Sequence, residues 1–124
     1  MKLFELERDE YDKKLRQLVV ELTKHVHGSV EQHKARNITL YGDDVIINVK
    51  PWDSPNVGNA LIGNPSKDSA VVTIFTKNPD EYDEQYEKFI RKIVSSRSGE
   101  WADGGESSPR HSKFPTWREW WVKV

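Results

Sequence analysis

The chain of 124 residues contains no cysteine. That absence excludes disulfides, thiolate nucleophiles and thiolate-held zinc together, and suits a reducing compartment. No apolar run approaches the ~20 residues needed to cross a bilayer. The opening stretch, MKLFELERDEYDKK, turns densely charged without the apolar segment of a secretory signal. A surplus of either charge is also missing: 19 Lys and Arg stand against 20 Asp and Glu, a net charge of -1. No global field draws in nucleic acid or an anionic membrane, so a polyanion site would be a local patch. These absences predict a single cytoplasmic domain without membrane association.

Catalytic and cofactor signatures are scarce as well. Gly58 and Gly63 have the spacing of a phosphate-binding loop, and the stretch resembles a Walker A start. Asn64 and Pro65 stand where that motif needs Lys and Ser/Thr for phosphate and magnesium. Asp43 and Asp44 are adjacent in a Gly-Asp-Asp turn signal, and adjacent residues on a strand face opposite ways. Ser95, Ser96 and Ser98 have no histidine at a telling spacing. The expectation is a protein without a catalytic set, metal or cofactor.

What is present is periodicity. Tyr11, Leu15, Leu18, Leu22 and Val26 recur at three- and four-residue intervals and predict a helix over 7–27, stopped by Gly28. Its acidic start and basic end suit the helix dipole. The stretch NITLYGDDVIINVKP predicts a β-hairpin turning at 42–44, with Val45, Ile47 and Val49 toward the core. A third strand follows at 70–77. Asn78-Pro79-Asp80 then opens a second helix striped with Tyr82, Tyr86, Phe89, Ile90 and Val94. The fold class is α+β: helix, strand, strand, strand, helix, with an antiparallel sheet packed by the helices.

Two segments stand outside this pattern. Residues 51–69 are rich in Pro, Asn and Gly, as functional loops of that length are. Residues 98–115 are rich in Ser, Gly and charge and read as a flexible linker between a core of 1–97 and a terminal segment of 116–124. In that segment Trp117, Trp120, Trp121 and Val124 fall at i, i+3, i+4 and i+7, which predicts a short Trp-rich helix with one aromatic face. Eight residues of helix do not hold together alone in water, so the face must dock on its own domain, a partner or a second copy of the chain.

Two family resemblances are local. His25-Val26-His27, with Tyr11 to Lys14 as a Tyr-x-x-Lys partner, resembles the metal site of the HUH nucleases. That site needs a strand, whereas the periodicity here predicts a helix whose residues 25 and 27 point apart. The element order resembles that of double-stranded-RNA-binding domains, yet the second helix opens with Asp80, Glu81, Asp83 and Glu84 instead of lysines.

The functional expectation is therefore a small protein-binding module of the inhibitor, antitoxin or immunity-protein type. Its partner contacts would come from Trp117, Trp120, Trp121, Trp101, Trp52 and Asn59, because tryptophan dominates interface hot spots. The partner would be another protein, or a second copy through the tail. The alternatives are RNA binding by a patch of Lys24, His25, Lys34 and Arg36, or a small enzyme pairing His25, His33 or His111 with Asp43, Asp44 or Asp53.

Overall fold

The computed structural model describes residues 3–34, 37–54, 66–106 and 113–124, with 3–7 as backbone only. Helix α1 (Leu3–Thr23) carries the expected stripe: Tyr11, Leu15, Leu18, Val19 and Leu22 are buried. It ends four residues before the predicted His27. The Thr23 hydroxyl bonds back to the Val19 carbonyl at 2.8 Å, and the chain then turns through His25 and Val26. Gly28 follows at φ +65, and a Cβ there would stand 2.8 Å from the Asp43 carboxylate. Tyr11 holds the helix in place. Its hydroxyl donates to the Ser69 carbonyl at 2.6 Å and accepts from the Trp52 amide at 3.0 Å.

Six strands form one antiparallel sheet in the order β1-β2-β3-β4-β6-β5: β1 (Val30–Lys34), β2 (Asn37–Tyr41), β3 (Val45–Pro51), β4 (Ser69–Thr76), β5 (Glu100–Gly105) and β6 (Thr116–Lys123). The hairpin of β2 and β3 turns where the sequence predicts, with the Gly42 amide bonded to the Val45 carbonyl at 2.9 Å. Both helices lie on one face, where Leu18 and Leu22 of α1 meet Leu40, Ile47, Val72, Ile74 and Trp120 in the main core. On the other face the register aligns an apolar row across all six strands: Val30, Tyr41, Ile46, Phe75, Trp117 and Gly105. One step along runs a polar row: Gln32, Thr39, Asn48, Thr73, Glu119 and Asp103.

The second helical segment begins as the sequence predicts. Asn78 caps it through its side-chain oxygen, 2.8 Å from the Glu81 amide, and Pro79 takes the first helical position. The segment is not one regular helix, however. α2 (Pro79–Glu81) leads into a π-helical turn (Tyr82–Tyr86) before α3 (Glu87–Ser96). The extra residue in that turn resets the stripe. Tyr82, Tyr86, Ile90 and Ile93 are buried, while Phe89 and Val94 of the predicted stripe are only partly covered.

The terminal segment is a strand, not a helix, and this corrects the sequence reading. All eight residues of β4 are buried, so both of its edges need hydrogen-bond partners. β3 supplies one edge and β6 the other, pairing Ser69 with Lys123 through to Thr76 with Thr116. A helix at 116–124 would leave that row unpaired and bury one face only. As a strand, β6 buries Trp120 and Val122 against the helices and Trp121 on the opposite face with Val71 and Ala102. The two neighbouring tryptophans point in opposite directions.

The expected linker at 98–115 contains β5, and β1 is a further strand absent from the sequence reading. The observed order is helix, four strands, helical segment, two strands. The turn into β5 is tightly packed: a Cβ on Gly99 would stand 2.8 Å from Val94, 2.9 Å from Val122 and 3.0 Å from the Trp121 carbonyl oxygen. No helix among the described residues is long and apolar enough to cross a membrane.

Candidate binding cleft beside Trp101

The bulge between Trp101 and Asp103 sets the side chains of β5. Trp101 pairs with Trp120 across the strands and stands edge-on to it, with ring centroids 5.5 Å apart at 84°. Gly104 makes room for this ring, because a Cβ there would lie 2.6 Å from its Cη2 atom. Trp117 uses Gly105 in the same way on the other face, its indole nitrogen 3.2 Å from where a Cβ would be. Gly104 and Gly105, two of the three glycines of the expected linker, are thus seats for two indoles.

Trp101 remains 50% exposed while Trp120 is 8% exposed. Between them and the π-helical turn lies a cleft of about 740 Å³, walled by Tyr82, Asp83, Glu87, Arg91 and Arg118. Tyr82 stacks on Trp120, with centroids 6.0 Å apart at 21°. The Arg118 guanidinium carbon lies 5.3 Å from the Tyr82 ring centre, within the range of a cation–π contact. Arg118 also reaches Glu106 at 3.7 Å, and Arg91 pairs with Glu87 one helical turn before it.

The Tyr82 hydroxyl is buried and makes no hydrogen bond with the described residues. Burial first, and Glu87 second, push this phenol far above its usual range, so it stays protonated. Glu87 acts on it electrostatically without meeting it in hydrogen-bonding geometry. Burial would raise Glu87 itself, but Tyr82 and Arg91 outweigh that and hold its carboxyl below the usual value. Tyr86 is raised by burial and then by Asp44, to which its hydroxyl donates at 2.5 Å. The cleft therefore offers aromatic surface, one orphaned phenol and four charges of balanced sign.

The other expected site residues are spread out. Trp117 is half-buried on the far face, Trp121 is buried there, and Trp52 packs partly against the main core. Asn59, Arg36 and His111 lie outside the described residues. Lys24 and His25 follow the end of α1, whereas Lys34 ends β1, four residues beyond Val30 and about 13 Å along the strand. His25 stacks flat on Phe89 at 4.4 Å, and His33 lies 3.2 Å from Glu31. No histidine–carboxylate cluster of three or more groups placed to hold a metal ion occurs among the described residues. The sequence reading did not anticipate Tyr82, Asp83, Glu87 or Arg118 as a group, because they converge only through the pairing of β6 with β5 and the π-helical turn.

Comparison of the chain with family models, with curated proteins and with solved structures returns no match, so the functional reading rests on this geometry.

Proposed function

We propose that the chain is a protein-binding module of the inhibitor, antitoxin or immunity-protein type, and that Trp101 is the centre of its contact surface. The observation that carries this reading is the indole itself, half-exposed on edge strand β5 yet fixed between Trp120 and Gly104. A large aromatic already held in one orientation loses little freedom on binding, and tryptophans of this kind supply most of the energy at hot spots. Trp120 serves as its support. Trp117, Trp121 and Trp52 shape the sheet around it.

The test compares the native protein with Trp101→Ala. Tagged native protein should recover one saturable partner from a lysate of its own source, and the variant should lose that partner while still unfolding in one cooperative transition. If native and variant recover the same proteins, or neither recovers any beyond bare resin, the reading is wrong.

A further inference from the structure

We infer that the cleft beside Trp101 is a specificity pocket for a cationic side chain, arginine or lysine, of the partner protein. The inference rests on the protein-binding reading and adds the chemistry of the partner. Three independent features converge on it.

The first is the charge left over once the wall's own pairs are formed. Arg91 pairs with Glu87, and Arg118 reaches Glu106. Asp83, exposed on the π-helical turn, forms no ion pair with the described residues. An incoming anion would find both wall guanidiniums engaged and two carboxylates facing it. An incoming cation would find Asp83 available. The second feature is the orphaned Tyr82 hydroxyl: the residue is only 3% exposed, lines the cleft and has an oxygen able to accept from an N–H donor. The third is the aromatic wall of Trp101 and Trp120, since an indole face is the strongest cation–π partner among side chains. The protein already uses this chemistry internally where Arg118 lies over Tyr82.

Charge also selects the kind of partner. The edge strand carries exposed Glu100 and Asp103, which the register sets on the face away from the cleft, followed by exposed Glu106. A second copy brought edge to edge would set these carboxylates against their own kind, as natural edge strands do to resist self-pairing. A basic protein surface meets complementary charge there, with faster encounter at low salt.

The test reads the side-chain indole N–H signals in NMR spectra of the full chain during titration with N-acetyl-arginine methylamide, and separately with N-acetyl-glutamate methylamide. The arginine probe should shift Trp101 and Trp120 saturably and the glutamate probe should not. Asp83→Asn should weaken the arginine probe by roughly three- to fivefold, the scale of one solvent-exposed charge pair. Arg91→Gln should strengthen it, because it releases Glu87. Equal shifts by both probes, no shift up to the solubility limit, or indifference to Asp83→Asn would each overturn the inference. If a lysate partner still depends on Trp101 when the arginine probe fails, the protein-binding reading stands and only the cationic side chain is withdrawn.

Discussion

Gly104 lies under the indole of Trp101, so close that a Cβ on the glycine would stand 2.6 Å from Cη2 and 2.7 Å from Cζ2 of the ring. The ring is the half-exposed end of one side chain held against Trp120, so pushing it outward gives up that one contact and opens no cavity in the core. Gly104→Ala should therefore change stability by less than about 1 kcal/mol in urea unfolding, yet displace Trp101 and weaken partner capture. Gly99→Ala should behave in the opposite way. Its Cβ meets Val94, Val122 and a backbone oxygen that cannot swing away, so the cost should be about 1–3 kcal/mol.

Trp120→Ala should destabilise by about 3–5 kcal/mol, the scale for deleting a buried indole, and red-shift the fluorescence of the remaining tryptophans. Trp101→Ala should cost about 2 kcal/mol, because half of that ring already faces water. Equal losses for the two would contradict the division between support and contact.

Deleting residues 116–124 should leave a chain without a cooperative thermal transition. The loss includes more than tryptophan burial: β4 would keep one paired edge, and β5 would have no neighbour among the described strands. Circular dichroism melting of the truncated and full chains decides this, and a truncated form that melts normally would refute the sheet order.

Tyr86 and Asp44 join the π-helical turn to the β2–β3 hairpin through one hydrogen bond of 2.5 Å. Tyr86→Phe should cost about 1–2 kcal/mol at neutral pH, since the acceptor is a carboxylate. Both Tyr82 and Tyr86 have folded pKa values above the ordinary value near 10. The fold therefore favours their protonated forms. Their contribution should be complete below about pH 10 and should fade as pH rises from there toward the folded values. Urea midpoints should hold from about pH 8 to 9.5 and fall from about pH 10 upward, and Tyr86→Phe should fall less steeply than the native chain.

The parts of the fold legible in the sequence are those set by local rules. The stripe of α1, the β2–β3 turn and the Asn78-Pro79 cap each follow from spacing or one residue's chemistry, and each is where it was expected within a few residues. β1 is mostly exposed on an edge, so VEQHK shows no alternation to read. β5 hides because Gly104 seats the indole of Trp101 in the same strand and Gly105 that of Trp117 in β6, and a local reading takes these glycines for flexibility. β6 misleads because a central strand needs apolar residues on both faces, and Trp117, Trp120 and Trp121 then match helical spacing by coincidence. The cleft was legible only as an excess of tryptophan. Its charged wall depends on a register that no local pattern encodes.

The place of β6 between β4 and β5 also governs how fast the protein can fold. Thr76 and Thr116 pair across about 40 residues of intervening chain, whereas Tyr41 and Ile46 pair across a tight turn. Closing the longer loop costs about 2 kcal/mol more in chain entropy before any contact offsets it. The meander of β1 to β4 can zip up locally, but the last sheet contact must wait for a search by a distant segment, as in other chains of high contact order. Because that segment brings Trp120 beneath Trp101, the rate at which the cleft appears is the rate at which the sheet is completed.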